Sequence, residues 1–290
     1  EGQRPPPSAV RIEEFVNYFK YNYPPPPANE DKPFSASYEG VVSPFDKERH
    51  FLRIGLQGKL PSEKERKEAH LTFLVDTSGS MHSPDKIGLL KQSLRILVQN
   101  LHEGDTVALS TYAGSVRKVL GPTGMEERAK IEAAIEGLSA RGSTAMASGI
   151  ELAYKLAYQN FKPNTVNRVI VCSDGDANVG PTSHEAILKL IETKKNEGVT
   201  LSVIGFGMGN YKDTRMEQLA NKGNGNYYYI DTISEAKKVF QEQLAGTLEV
   251  IAKDVKIQVE FSKDRVKEYR LVGYENRDVK DEDFRNDKVD

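Results

Sequence analysis

The stretch LTFLVDTSGSMHSPDKIGLL, Leu71 to Leu90, decides the fold. It opens with an uninterrupted apolar run, which is typical of a strand buried on both faces of a parallel sheet. Asp76, Ser78 and Ser80 follow at alternate positions. The letters SPD then open a helix, with Ser as the N-cap and Pro as the first helical residue. The stretch therefore predicts a buried strand, a polar turn at its carboxyl end, and a helix.

The same alternation of strands and helices continues to about residue 246. Further apolar runs, such as NRVIVCSD and VTLSVIGFG, are separated by amphipathic helix patterns such as TRMEQLANKG. DTVALSTYA and VRKVLGP lie close enough together to form a hairpin. Continuous apolar strands between helices predict an α/β fold, with a doubly wound, mostly parallel sheet and helices on both faces.

The flanks have different patterns. A proline-rich segment contains a short helix pattern with Ile12, Phe15, Val16 and Phe19 on one face. FSASYEGVV and HFLRIGLQG alternate as strands do, and a period of two returns from Val255. We predict a β-rich module with the α/β domain inserted between its halves, although the β segments could instead extend the main sheet. The predicted divisions are 1–33 (proline-rich segment), 34–68 (first half of the β-rich module and linker), 69–246 (α/β domain) and 247–290 (second half, truncated).

Composition excludes several classes of protein. The 290 residues carry a formal net charge of -2, with no Lys/Arg-rich stripe, so a nucleic-acid partner is not expected. No apolar run is long enough for a transmembrane segment. The single cysteine, Cys172, excludes an intrachain disulfide and is expected to be buried. The chain starts at Glu1 without Met and reads as a trimmed fragment, so targeting information is expected to be missing. Nothing in the sequence indicates an oligomeric state.

Three loops of the α/β domain carry polar clusters at strand ends or helix starts. They hold Asp76, Ser78 and Ser80; Thr144 in RGSTAMASG; and Asp174 in CSDGDANVG. In open α/β sheets, ligands bind at the carboxyl ends of the strands. Carboxylate and hydroxyl oxygens suit Mg²⁺, Mn²⁺ or Ca²⁺ rather than zinc. Two carboxylates at one point would raise each other's pKa, and a divalent cation would neutralise both.

The motifs DTSGS, GST and SDGD, in this order, resemble the metal-ion-dependent adhesion site of von Willebrand factor type A domains, over about residues 70–246. The resemblance implies that Ser78 and Ser80 coordinate Mg²⁺ (or Mn²⁺/Ca²⁺) directly. Thr144 would coordinate directly or through water, and Asp76 and Asp174 mostly through water. The open position would take an Asp or Glu carboxylate from a partner protein.

The flanking segments also resemble those of bacterial envelope proteins that carry such a domain. The residues concerned are RIEEFVNYFKYNYPPP before the α/β domain and LAGTLEVIAKDVKIQVEF after it. The resemblance implies an extracytoplasmic protein of the periplasm or cell envelope, and a lipid anchor is one way in which its full-length form could be held there.

Two other functions remain open. Metal-assisted hydrolysis needs a general base, and His82 and His184 each lie close in sequence to a polar loop. Alternatively, the protein is a metal-independent assembly scaffold whose contact is the helix at residues 11–20. A Ser-His-Asp triad is not favoured, because neither His82 nor His102, the histidines between the DTSG and GSTAMASG loops, lies in the sequence context that a catalytic histidine would have there. The sequence favours a non-enzymatic, metal-dependent protein-binding domain.

Overall fold

The computed structural model describes residues 12–19, 21–27, 30, 32–59, 66–140, 142, 146–175, 181–207, 213–243, 255–274 and 284. The chain divides into two compact units, one made of residues 62–249 and the other of residues 1–61 with 250–290. The predicted insertion of one module into the other stays a prediction, and each unit is described by itself.

The larger unit is built on a six-stranded sheet. The strands are β3 Ala69–Asp76, β4 Thr106–Tyr112, β5 Val116–Gly124, β6 Val166–Ser173, β7 Thr200–Phe206 and β8 Tyr227–Ile230. Their order across the sheet is β5-β4-β3-β6-β7-β8. All neighbours are parallel except β4 and β5, which form the predicted antiparallel hairpin. The α/β, mostly parallel architecture predicted from the sequence is confirmed.

Helices cover both faces of this sheet. They are α2 Leu89–Gln99, α3 Arg128–Glu136, α4 Met146–Tyr158, α5 Pro181–Asn196, α6 Asp213–Lys222 and α7 Ile233–Lys237. One hydrophobic core joins the sheet to α2, α3 and α7, and a second joins it to α4, α5 and α6. Phe73 and Val75 of β3 enter the first core, whereas Leu74 enters the second. A strand that contributes side chains to two cores must be largely apolar on both faces, which explains the run LTFLV, whose one polar side chain, Thr72, is also buried. Cys172 of β6 is buried as predicted.

The strand order creates a topological switch point at the carboxyl ends of the strands. From β3 the chain moves outward to β4 and β5, and it then returns to the other side of β3 with β6. The winding direction therefore reverses between β3 and β6, and ligands of open α/β sheets bind outside the carboxyl ends of strands at such a switch point. Asp76 is the last residue of β3 and Ser173 is the last residue of β6.

The connection from β3 to α2 is made of two tight turns. A 3₁₀ turn spans Gly79–His82, and a π-helical turn spans Pro84–Gly88. Pro84 occupies the first helical position, as predicted, but the Ser83 side chain makes no capping hydrogen bond. The predicted cap of α7 is present, since the Thr232 hydroxyl accepts a hydrogen bond from the Glu235 amide at 3.2 Å.

The smaller unit contains α1 Ile12–Tyr18 and an antiparallel pair, β1 Phe34–Val42 and β2 His50–Gly58. This pair is a separate two-stranded sheet and does not extend the main one. The strands predicted from Val255 onward are absent from residues 255–274, so that prediction is wrong for this segment. An alternating apolar pattern becomes a strand only when a neighbouring strand accepts and donates its backbone hydrogen bonds. Ile257 remains 59% exposed.

Within the described ranges, every helix is too short or too polar to cross a bilayer.

An ion pair between Arg66 and Asp105 lies at the amino-terminal ends of β3 and β4, opposite the switch point. The Asp105 carboxylate is fully buried. It accepts hydrogen bonds from the Ala69 amide at 2.7 Å, the His102 amide at 2.8 Å and both terminal nitrogens of Arg66 at 2.7 and 3.1 Å. A carboxylate so completely engaged is costly to remove, because its donors are left without acceptors.

We expect Asp105→Ala to lower the free energy of unfolding by about 2–4 kcal/mol, because two backbone amides and a partly buried guanidinium lose their hydrogen-bond acceptor. Urea denaturation followed by circular dichroism measures this loss. Glu103→Ala, at an exposed acidic position two residues away, is the matched control and should change stability little. Equal stability of the two variants would contradict the assigned role of Asp105.

Candidate functional site

Asp76 lies at the centre of the switch point and its carboxylate is held by three donors. One oxygen, Oδ1, accepts a hydrogen bond from the Ser78 amide at 2.8 Å. The other, Oδ2, accepts hydrogen bonds from the Tyr112 hydroxyl at 3.0 Å and the Ser173 hydroxyl at 3.1 Å. These donors come from the turn after β3, the end of β4 and the end of β6. Three strand ends therefore fix one fully buried carboxylate.

The two serines of the DTSGS turn bring their hydroxyls together. Ser78 Oγ and Ser80 Oγ lie 3.0 Å apart. This is a hydrogen-bonding distance, and it also matches the spacing of about 2.9 Å between neighbouring oxygens in a magnesium octahedron with 2.0–2.1 Å bonds. Ser78 is buried and Ser80 is half-buried, so the pair lies between the protein interior and its surface. The arrangement can present two neutral oxygens to one ion.

Asp174 follows β6 directly and is buried, as is Asp76 at the end of β3. The loop before α4 also reaches the site, because the Gly79 amide donates to the Gly142 carbonyl at 3.0 Å. Gly142 has a φ of +90°, and a Cβ there would lie 3.2 Å from the Gly114 amide nitrogen. This close approach favours glycine at that position. Thr144, two residues further on, lies outside the described residues.

Thus the structure brings four of the five predicted site residues together at the carboxyl ends of β3 and β6, and the fifth is not described. Clusters of three or more His, Cys, Asp or Glu side chains suited to a metal ion are absent from the described ranges. A site of two carboxylates and several hydroxyls would not form such a cluster. Hard oxygen donors of this kind fit Mg²⁺, Mn²⁺ or Ca²⁺.

The electrostatics of the site centre on Asp76. Burial raises the pKa of its carboxyl above the ordinary value, and the nearby Asp174 raises that pKa further. The hydrogen bonds from Ser78 and Tyr112 act in the opposite direction. Burial, together with the Asp76 charge, raises the pKa of Tyr112 well above its ordinary value, so its hydroxyl stays a neutral donor. A divalent cation would relieve the mutual repulsion of the two carboxylates.

Three residues of the site were not predicted from the sequence: Tyr112, Ser173 and Lys86. Tyr112 and Ser173 end strands at the switch-point edge, so their position could have indicated them. Lys86 reads as a solvated helix residue in the sequence. In the structure its ammonium donates to Asp174 Oδ2 at 2.9 Å and to the Ser80 carbonyl at 3.1 Å.

Among the described residues, no hydrogen bond or ion pair joins His82 or His184, the two histidines considered as bases, to this cluster. His82 ends the 3₁₀ turn and is exposed. His184, on α5, lies with Nε2 at 2.9 Å from Oε1 of Gln218 on α6.

In EDTA at neutral pH, Asp76→Asn is expected to melt at a higher temperature than the unchanged protein. The folded-state pKa of Asp76 is raised above 3.8, so ionising it costs folding free energy. That cost appears as the pH rises past the ordinary carboxyl pKa and is complete above the folded-state pKa. The gain should therefore shrink as the pH falls toward about 4. Thermal melts across this range measure it.

The control for this measurement is Asp264→Asn, at an exposed aspartate, which should show no such gain. A melting temperature of Asp76→Asn at or below that of the unchanged protein at every pH would contradict the electrostatic account.

Comparison with known families gives three matches along the chain. Residues 70–242 match the von Willebrand factor type A domain. Residues 1–53 match a model described as von Willebrand factor. Residues 246–290 match a model described as the C-terminal part of the uncharacterized protein YfbK. The first match covers more than half of the chain and coincides with the six-stranded sheet and its helices.

Individual relatives agree with this family. The uncharacterized protein YfbK of Escherichia coli is 42% identical over the whole chain, which spans 51% of YfbK. The chain thus spans about half the length of the curated relatives it matches.

Among solved structures, a von Willebrand factor type A protein from Catenulispora acidiphila aligns with a TM-score of 0.54 at 19% identity, covering 78% of this chain and 51% of that one. An aerotolerance-related membrane protein from Bacteroides fragilis aligns with a TM-score of 0.51 at 19% identity, covering 61% and 98%. These likenesses show a shared fold. The chain belongs to the von Willebrand factor type A domain family.

Proposed function

We propose that this protein is a non-enzymatic, metal-dependent protein-binding domain. Its site would hold a divalent cation, Mg²⁺ or a similar hard ion, which takes up a carboxylate of a partner protein. Ser78, Ser80 and Thr144 would supply hydroxyl oxygens, and Asp76 and Asp174 would supply the negative charge. Domains of this family typically mediate protein–protein interactions, which supports the general part of this proposal.

The observation that carries the proposal is the convergence of two buried carboxylates and two hydroxyls at the switch point. Asp76 cannot turn toward solvent, because the Ser78 amide, the Tyr112 hydroxyl and the Ser173 hydroxyl hold both of its oxygens. In many metal sites, hydrogen-bonded groups next to the direct ligands hold those ligands in place and adjust the properties of the metal. The fixed Asp76 carboxylate beside the serine hydroxyls fits that role. The half-buried Ser80 marks the side from which a partner would approach.

A carboxylate partner follows from the charge of such a site. If the carboxylates act mostly through water, the direct ligands are neutral hydroxyls and the ion keeps most of its positive charge. A bound divalent cation would then supply a Lewis-acidic coordination position open to an external oxygen. Asp or Glu of a partner is the side chain that provides an anionic oxygen at a protein surface.

Metal-assisted hydrolysis has less support. None of the bonds of His82 or His184 joins either ring to Asp76, Ser78, Ser80 or Asp174 in the described structure, and the names of the relatives reported above include no enzyme. A metal-independent scaffold has one observation in its favour, which is that Phe15 and Phe19 of the α1 segment are 64% and 65% exposed. That surface could contact another protein without an ion.

We also propose that the protein acts at the cell envelope. The support is limited to the flanking segments, which resemble those of envelope proteins, and to the structural relative described as an aerotolerance-related membrane protein. Fractionation of cells that express the full-length protein tests the location.

Isothermal calorimetry should detect one divalent ion per chain. Mg²⁺ or Mn²⁺ at 100 times its dissociation constant should raise the free energy of unfolding by about 2.7 kcal/mol, by mass action. Ser78→Ala and Asp174→Asn should each weaken binding by about tenfold or more. Thr193→Ala, on the exposed side of α5, is the control and should bind as the unchanged protein does. Equal affinity in all four proteins would contradict the assignment of the site.

The carboxylate prediction can be tested with protein immobilised in Mg²⁺ and an extract of the source organism. Bound partners should elute with EDTA and should fail to bind Ser78→Ala. Blocking carboxylates in the extract with carbodiimide and an amine should abolish capture, because the bridging oxygen is then lost. Capture that survives EDTA but disappears on deletion of residues 1–23 would contradict the metal-dependent proposal and support the scaffold.

A further inference from the structure

Lys86 occupies an unusual position for a lysine on the first turn of a helix. Its side chain is only 14% exposed, and the Asp174 side chain with which it pairs is fully buried. The ammonium donates to Asp174 Oδ2 at 2.9 Å and to the Ser80 carbonyl at 3.1 Å. One positive charge therefore bridges the loop after β3 and the loop after β6, which are the two described loops that carry the candidate ligands.

The backbone around the site leaves room for the stem of this lysine. Gly207 follows β7 with a φ of +92°, and a Cβ built there would lie 2.5 Å from Cγ of Lys86. A side chain at residue 207 would collide with the stem, and the left-handed backbone also favours glycine. The lysine stem thus packs against the backbone of Gly207 at the end of β7. This packing directs the side chain toward Asp174.

The charges of the site give this contact a consequence. Asp76 and Asp174 together bring two buried carboxylates, and the Lys86 ammonium offsets part of that charge. A divalent cation at Ser78 and Ser80 would interact with the same Asp174 carboxylate. The ammonium and the ion repel each other at short range in a partly buried region, where charges interact more strongly than in water.

We propose that Lys86 is a built-in counter-cation of the metal site, which stabilises the ion-free protein and lowers its affinity for divalent cations. The proposal rests on the metal-binding function proposed above. Because the Lys86 ammonium offsets the charge of Asp174, we expect the chain to fold without metal. Ion binding then requires the ammonium to give up or lengthen its contact with Asp174. Occupancy of the site, and with it capture of a partner, becomes dependent on the free ion concentration.

The test compares two neutral substitutions with the unchanged protein. Lys86→Met keeps an apolar stem, and Lys86→Gln keeps a donor for Asp174 and the Ser80 carbonyl, so at least the second should fold without metal. Calorimetry with Mg²⁺ should show both binding the ion about tenfold more tightly, as expected when a nearby like charge is removed. Melts in EDTA should show a lower melting temperature for Lys86→Met than for the unchanged protein.

Two further variants make the result specific. Lys86→Arg keeps the charge and should bind Mg²⁺ within about threefold of the unchanged protein. Lys194→Met removes an equal charge from another partly exposed, ion-paired lysine, and it should leave the Mg²⁺ affinity unchanged. Affinity of Lys86→Met and Lys86→Gln equal to or weaker than that of the unchanged protein would overturn the proposal while leaving the metal site intact. Absence of Mg²⁺ binding in every protein, the unchanged one included, would overturn the proposed function itself.

Discussion

Burial of the Asp76 carboxylate at the end of β3 is the constraint on which the candidate site depends. An ionised group in such a place is stable only where donors surround it, and the structure supplies them from three strand ends. The strand order makes this possible, because β4 and β6 lie on either side of β3. The same order creates the switch point beside which the Ser78 and Ser80 hydroxyls lie 3.0 Å apart. The position of the site thus follows from the order of the strands.

A second buried carboxylate, Asp174, makes the site a place of excess negative charge. Its repulsion contributes to the raised pKa of Asp76, and the Lys86 ammonium partly balances it. Unfavourable electrostatics of this kind often mark functional positions, since a structural core would avoid them. A divalent cation bound there would remove the repulsion between the two carboxylates, and this gain would contribute to its affinity. The Lys86 ammonium balances part of the negative charge, and a bound cation would neutralise more of it.

Sequence patterns predicted the main sheet well because a strand between two cores must be largely apolar on both faces, and four of the five residues from Leu71 to Val75 are apolar. They also predicted that Asp76 and Asp174 lie together, since both follow such strands. Tyr112 could have been indicated by its position at a strand end, but the contact of Lys86 could not be predicted, because it depends on a glycine at the end of β7. Residues 255–274 were predicted wrongly, since periodicity states which face is apolar but does not supply a pairing partner.

Anomalous diffraction from crystals grown with Mn²⁺ would show whether the oxygens at the end of β3 bind an ion. We expect a single strong anomalous peak at coordination distance from the Ser78 and Ser80 hydroxyls. We also expect Thr144 to lie beside the peak, and the Lys86 ammonium to be farther from Asp174 than 2.9 Å. A crystal with Mn²⁺ bound elsewhere, and no peak beside Ser78 and Ser80, would contradict the proposed site.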